Sequence, residues 1–417
     1  MRLDRWIGAL SERNFRLYFI GRLTSSIGTS MTPVALSFAV LTSDHSVSDL
    51  GYVLTAGTVP LVVFLLVGGV LADRLGRRRV MLASDVLRAA SQSALAVWVL
   101  TGHVPLWGFM ALSAVVGTGT AFFSPSMIGL IPEVASAERL PQANALNGLT
   151  SSVGGIVGPS IAGIIVAAAS PGWAIAGDAL SYVVSVASLV ALQLPPGSAK
   201  TAESYWHQLK AGWTGFWERT WLWAIVVQWS VGNAILFAPY YVLGAEISKT
   251  SLGGATAWGT ILAAQGAGAL FGGLVMLRLR FRRPLLAGTM MAVMFLPALL
   301  SLAYSRSVPL IAACSFLGGT QLACFGAIWD TTMQREIPAE MLSRLSAYDW
   351  FGSLVFLPIG YAIVGPVSQV IGIRTTFVAG CVYCLVAAAA VLCIPTVRRL
   401  RWTAPPTTEA EAAPATP

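Results

Sequence analysis

The chain has 417 residues, 56% of them hydrophobic and only 11% charged, with a formal net charge of +8 and a mean hydropathy of +0.72. Ordinary soluble domains carry about 25% charged residues, so no water-facing globule could hide this much apolar surface, and lipid is the expected solvent. Every backbone polar group must then be satisfied within its own segment, which leaves helices or closed barrels. Apolar runs of about 20 residues, rather than about ten alternating ones, choose helices.

Met1 to Arg16 is charged and amphipathic and reads as an interfacial lead-in, not a cleavable signal peptide. Twelve spans follow, near 14–41, 50–72, 80–101, 105–131, 144–169 and 173–193, then 221–244, 255–279, 284–304, 308–330, 346–369 and 374–395. The basic residues are not spread over one soluble face, which argues against nucleic acid as a partner. They fall in alternate turns, including Arg74, Arg77, Arg78, Arg79, Arg139, Lys200, Arg282 and Arg283, whereas the opposite turns hold only Lys249, Arg306 and Arg374. That asymmetry predicts a multi-pass protein of the cell membrane with both termini and the basic turns in the cytoplasm.

The stretch from Gly68 to Arg79 joins the second and third spans as a tight basic turn, and Gly272 to Arg283 is a fainter copy that keeps the paired glycines but lacks the aspartate. Other landmarks repeat at nearly one offset. Pro33 matches Pro239, Ile131-Pro132 matches Ile337-Pro338, and Val157-Gly158-Pro159 matches Val364-Gly365-Pro366. Four matches in one order imply a tandem duplication. The expected organisation is an N-terminal six-helix bundle over 1–193, a linker over 194–220, a C-terminal six-helix bundle over 221–395 and a disordered cytoplasmic tail over 396–417. In the linker, Trp206, Leu209, Trp213, Phe216 and Trp217 share a helical face, read as a short helix lying in the membrane surface. Cys381 and Cys384 form a lone CxxC on an apolar span and read as packing residues rather than metal ligands.

Two six-span halves with a cytoplasmic linker resemble the major facilitator superfamily. Gly69, Asp73, Arg74, Gly76, Arg77 and Arg78 match its loop motif between the second and third spans. Read from the residues alone, the glycines permit close helix approach and the arginines anchor in anionic headgroups. The resemblance adds that Asp73, against the eleventh span, latches the outward-facing state. In the fifth span Gly154, Gly158, Pro159 and Gly163 are similar to the pattern of the superfamily's antiporter-type exporters, with Ala162-Gly163 where a glycine pair is usual. Phe122 to Ser126, Ile131-Pro132-Glu133 and Glu138 to Leu146 resemble the drug-efflux branch of macrolide and enterobactin exporters. The fourth span lacks the arginine of many proton-linked members.

An ionised group at mid-span costs about 2.5–3.5 kcal/mol on insertion scales, so each one asks for a reason. Arg22 either snorkels to the cytoplasmic surface or serves binding or coupling. Asp85 and Arg88, three apart, pair with each other or with the basic turn. Asp178 is either hydrated near a helix N-terminus or a protonatable carrier. Asp330 and Asp349 read as boundary residues. The resemblance places the first, fourth, seventh and tenth spans around the central cavity, where the sequence offers Ser26, Thr29, Phe123, Gln228, Asn233, Tyr240, Gln321 and Trp329, with Gln265 on the eighth.

These readings converge on an all-α major facilitator fold and a secondary active transporter, a proton-coupled exporter of drug-like or natural-product molecules working by alternating access. The alternatives are an importer or uniporter of a small metabolite, or a non-transporting receptor on the same fold. His45, His103 and His207 fall in loops and the linker, and no Walker-type phosphate loop occurs, so an enzyme or an ATP-driven pump is not expected. The expected partners are the bilayer and a small-molecule substrate. The proton gradient is the expected energy source, with no cofactor and no metal, and the chain is expected to act as a monomer.

Overall fold

The computed structural model describes residues 8–194, 213–279 and 281–402, with Gly69 and the side chains of Leu66, Val70, Ala72, Asp73, Ala339, Glu340 and Ser343 outside the described set. The N-terminal half holds α1 (Arg13–Thr42), α2 (Val47–Leu75), α3 (Arg77–Thr101), α4 (Leu106–Val134), α5 (Leu140–Ala168) and α6 (Pro171–Val190). The C-terminal half begins with α7 (Thr220–Ser251), which contains a π-type turn over Asn233–Phe237. It continues with α8 (Ala255–Met276) and α9 (Pro284–Tyr304), the latter tightened into a 3₁₀ turn over Ala292–Phe295. Next come α10 (Val308–Glu336), α11 in two pieces (Ala339–Leu354 and Leu357–Ile371), α12 (Ile373–Cys393) and the short α13 (Pro395–Arg399).

Ten of these helices are both long and apolar enough to cross a bilayer. The other two of the expected twelve, α1 and α3, have crossing length, at 30 and 25 residues, about 45 and 38 Å at 1.5 Å per residue. They miss on composition. α1 carries Arg13, Arg16 and Arg22, and α3 carries Arg77 to Arg79, Asp85, Arg88 and Gln92. The polar residues deep in α3 are turned inward, with Ser84, Asp85, Arg88, Ser91 and Gln92 all buried.

The duplication is visible in the packing. In the first half α2 lies against α4, and in the second α8 lies against α10. A Cβ on Gly68 would meet the Ala121 carbonyl oxygen, and one on Gly272 would meet that of Thr320. The same two pairs cross again at Gly117 on the Gly57 carbonyl and at Gly319 on the Gln265 carbonyl. Without a hydrophobic force between helices in lipid, such small-residue contacts are what let backbones approach.

The halves join along two related lines, α5 on α8 and α2 on α11. Thr55 Oγ1 donates to the Pro358 carbonyl at 3.0 Å and Gln369 Nε2 to Ser48 Oγ at 3.3 Å. Lys249 Nζ donates to the Leu41 carbonyl, and Thr256 Oγ1 to that of Gly163 at 3.4 Å. All four lie toward the end opposite the basic turns. Along α5 the contact fades in the other direction. A Cβ at Gly163 would sit 2.9 Å from the Ala255 oxygen, and one at Gly155 would meet only Gly266, at 3.7 Å. At Gly148, and at Gly273 on α8, nothing among the described residues lies within 4 Å. Gly148 and Gly155, like Gly266 and Gly273, are seven residues apart and share a helical face. The interface is therefore closed at one end and open at the basic end.

Of the expected linker helix, Trp206, Leu209 and Lys210 lie outside the described residues. Its end, 213–218, is helical, and Trp213 and Phe216 lie 5.7 and 6.2 Å, between ring centroids, from Tyr348 of α11. This part therefore packs on the bundle rather than resting on lipid alone. The tail from Thr403 onward also lies outside the described residues, while its start at Pro395–Arg399 is helical rather than disordered.

Candidate functional site

Three helices of the N-terminal half, α1, α3 and α6, meet through polar side chains. On α3, Asp85, Arg88 and Gln92 stand at i, i+3 and i+7, which places them on one face. On α6, Asp178, Ser181, Tyr182 and Ser185 do the same at i, i+3, i+4 and i+7. On α1, Gly28 leaves the room: a Cβ there would come within 2.6 Å of Ser181 Cβ and 2.8 Å of Asp178 Oδ1.

Arg88 and Asp85 form an ion pair with exposures of 3% and 0%. This settles the sequence alternatives, since Asp85 pairs with Arg88 and not with the basic turn. The second Asp85 oxygen accepts from Ser185 Oγ at 2.6 Å. The Arg88 guanidinium lies between two rings, 4.2 Å from the Phe123 centroid and 4.5 Å from that of Tyr182. Such a stack offsets part of the cost of burying the cation. Tyr182 Oη in turn shares a hydrogen bond with Thr29 Oγ1 at 3.0 Å.

Asp178 is 1% exposed, so the hydrated reading of this residue is corrected. One carboxylate oxygen accepts from Gln92 Nε2 at 2.6 Å and from Thr32 Oγ1 at 3.0 Å. Its partners are neutral, so the site tolerates either protonation state without stranding a cation. Gln92, Thr32, Ser181, Ser185 and Tyr182 were not singled out in the sequence. Except for Thr32 on α1, their signal was present in the i, i+3, i+4, i+7 polar stripes on α3 and α6, which a search for single charges passes over.

Arg22 is half-buried at a small cleft lined by Tyr18, Met81, Phe123 and Ser185. One guanidinium nitrogen reaches Ser151 Oγ at 3.5 Å, and Nε is buried without a partner. The side chain thus lies between α1 and α5.

The α5 motif divides between two neighbours. Gly154 and Gly158 face Ser26 and Ser30 of α1, while the Pro159 carbonyl and Gly163 face Gly259 of α8. A Cβ at Gly154 would lie 2.5 Å from Ser26 Oγ. Ser26, 5% exposed, is therefore a packing residue of this contact and not a cavity wall.

In the basic turn, Gly69 and the Asp73 side chain lie outside the described residues. Gly76 has φ +89°, a left-handed conformation that suits glycine and lets α3 follow α2 with one residue between them. Arg74 is exposed. Arg77 donates to the Gly129 carbonyl and contacts Glu133 at 3.3 Å. Arg78 donates to the carbonyls of Leu189 and Val190, both at 2.8 Å. The expectation that these two arginines anchor in headgroups is corrected. Arg78 satisfies carbonyls of the last turn of α6, where a helix leaves its last C=O groups unpaired, and Arg77 reaches a carbonyl of α4 more than one turn before that helix ends.

The C-terminal candidates separate into two groups. Tyr240, 0% exposed, donates to Ser315 Oγ at 3.1 Å and packs on Trp258 and Phe295, so it belongs to the core rather than to a cavity. Asn233 donates to the Ser353 carbonyl at 2.9 Å, and Trp329 Nε1 to Asp349 at 2.9 Å. Asp349 is thereby placed within α11 against α10 and is not a boundary residue. Gln265 Oε1 lies 3.5 Å from Tyr241 Oη. Gln228 and Gln321, by contrast, line a cleft inside the C-terminal half. Cys384 Sγ lies 3.7 Å from the Ala292 carbonyl, and Cys381 is buried in the same helix, as expected for packing residues.

Comparison with known proteins places this architecture. The multidrug efflux pump Tap of Mycolicibacterium fortuitum is 28% identical over 402 residues, spanning 92% of this chain and 96% of that protein. Macrolide efflux protein A of Streptococcus pyogenes is 24% identical, covering 87% of this chain and 91% of its own. The enterobactin exporter EntS of Escherichia coli O1:K1 / APEC is 24% identical over 95% of each chain. Among solved structures, the nucleoside transporter NupG superposes with a TM-score of 0.73 at 13% identity, over 91% of this chain and 98% of that one. A bacterial homolog of the human lysosomal transporter Spinster gives 0.70, over 94% and 98%. These two show the fold. A family model described as transmembrane secretion effector matches residues 6–409, and the chain belongs to that family of multi-pass major facilitator transporters.

Proposed function

We propose that the protein is a proton-coupled exporter of amphipathic drug-like or natural-product molecules, working as a monomer in the cell membrane with its basic turns and both termini in the cytoplasm. Three relatives named as efflux proteins or exporters support the direction. The interface that is closed at one end and open at the basic end supports alternating access. In this reading the structure faces the cytoplasm, and Gly148 and Gly273 are the surfaces that meet when the protein turns outward.

The observation that carries the coupling is the Asp178 carboxyl, buried among neutral donors one helix away from the Arg88–Asp85 pair. A proton arriving at Asp178 replaces the hydrogen-bond pattern with Gln92 and Thr32 and so changes how α6 and α3 hold α1. α1 in turn lies on α5, the helix that forms the interface with the other half. One charge crossing 100 mV is worth about 2.3 kcal/mol, enough to bias such a change by more than tenfold. No cofactor or metal is called for, and the substrate is the only small molecule that the reading requires.

The test is accumulation of a fluorescent amphipathic dye in energised bacteria that express the chain, its Asp178→Asn form or its Asp73→Asn form. Lower accumulation with wild type alone, abolished by an uncoupler, is the expected result. Raised accumulation would reverse the direction, and uncoupler-resistant export would remove the proton.

A further inference from the structure

The geometry points to a binding site for a neutral, planar aromatic molecule with an amide-like edge, enclosed within the C-terminal half rather than between the halves. It is the cleft between α7, α9, α10 and α12.

Five rings stand in its wall. Trp229 lies 4.7 Å from Phe325 and stacks on Phe237 at 6.1 Å with an interplanar angle of 13°. Phe237 lies 4.7 Å from Phe295, and Tyr383 closes the side toward α12 by donating to the Gln228 carbonyl at 2.8 Å. Offset rings of this kind present faces and edges on which a further ring can pack.

Three polar side chains in the lining have no protein partner among the described residues. The Thr289 hydroxyl is buried and unpaired, in a residue only 1% exposed. The amides of Gln321, 2% exposed, and of Gln228 line the same void and make no side-chain hydrogen bond. An amide presents an acceptor beside two donors, which a lactam matches with both of its groups. The buried Thr289 hydroxyl is costly to leave unpaired, and a ligand carrying such an edge offers partners to it and to the two amides. Among the described residues no Asp, Glu, Lys or Arg lines the cleft, so a charged ligand would enter without a counter-ion.

The backbone is irregular on two walls at this level. The π-type turn of α7 ends at Phe237, and the 3₁₀ turn of α9 runs from Ala292 to Phe295. All three of these residues line the cleft. π-type insertions in helices gather at functional sites, and here one re-aims Phe237 toward the void.

The test uses the full chain in phosphatidylcholine nanodiscs, with radiolabelled phenanthridinone, a neutral tricyclic lactam, read by scintillation proximity. Saturable binding is expected, at least tenfold weaker in the near-isosteric Thr289→Val and in Gln321→Leu, and lost in Ala387→Trp, which fills the void. The N-methylphenanthridinium cation should not compete. Non-saturable uptake, the same in wild type and variants, is the behaviour of a cleft that is shut or filled by a lipid chain, and it would overturn the site. So would saturable binding that all three variants leave unchanged while their thermal unfolding matches wild type. The site does not rest on the exporter reading. Binding is measured without a gradient, so an inert pump that binds and an active pump that does not are distinct results.

Discussion

Gly155 of α5 and Gly266 of α8 meet where the two halves part. A Cβ on Gly266 would run into the Gly155 carbonyl, while one on Gly155 would reach only the Gly266 Cα, at 3.7 Å. Seven residues nearer the basic end, Gly148 and Gly273 have no described residue within 4 Å in front of them. Closure there requires the same small residues that contact requires here. Gly148→Trp and Gly273→Trp are therefore expected to fold and insert normally yet lower dye export at least tenfold. Gly266→Leu should instead destabilise the protein by about 1–3 kcal/mol through overpacking. Thermal unfolding beside the export assay separates the two effects.

Asp178→Asn keeps an acceptor for Gln92 and Thr32, so its unfolding temperature should stay near that of wild type while uncoupler-sensitive export disappears. Asp178→Leu leaves both donors unpaired, and each buried orphan costs about 1–3 kcal/mol. A lower unfolding temperature for the leucine variant alone is the expected outcome.

The Asp85–Arg88 pair is buried, and removing one partner strands the other. Asp85→Asn is expected to cost about 3–5 kcal/mol. Combining it with Arg88→Met should recover part of that loss. A double-mutant cycle on thermal or denaturant unfolding measures the coupling directly.

Arg78 bonds two carbonyls at the end of α6. Arg78→Ala should destabilise the protein by about 1.5–3 kcal/mol, the range for hydrogen bonds from a charged group. Arg79→Ala, at an exposed position, should change stability by less than about 0.5 kcal/mol. The difference in unfolding temperature between the two variants checks the assignment.

At the basic end, the Ser136 hydroxyl donates to Glu12 and holds its carboxyl below the usual carboxylate range, against the opposing effect of burial and with help from the Ser136 N–H and Arg139. A depressed folded-state value contributes stability that is fully present above the ordinary carboxylate value and is lost as pH falls through the folded one. Glu12→Gln should therefore lower stability at neutral pH and flatten its acid-side pH dependence, seen in unfolding scans from pH 7 to pH 3.

Membrane residence, helical character, the duplication and the basic turns are determined by the sequence itself, because each follows from local pattern. A run of apolar residues must be helical in lipid, and Gly158-Pro159 repeated as Gly365-Pro366 needs no coordinates to be seen. Individual charges were legible too, since Asp85, Arg88 and Asp178 stand out in apolar surroundings. Their partners did not, because Gln92, Thr32 and Ser185 are ordinary polar residues until three helices bring them within hydrogen-bonding distance.

Only the tertiary structure decided which candidates face a void and which are packed away. Tyr240 and Ser26 look like cavity residues in the sequence, yet one is bonded to Ser315 and the other lies under Gly154, while Gln228 and Gln321 share a cleft with Thr289. It also decided that Arg77 and Arg78 bond carbonyls of α4 and α6 instead of headgroups. The reason is that a helix offers every side chain a direction, but burial depends on rotation about its axis and on the neighbours it meets. Those are settled by contacts between residues fifty or more positions apart.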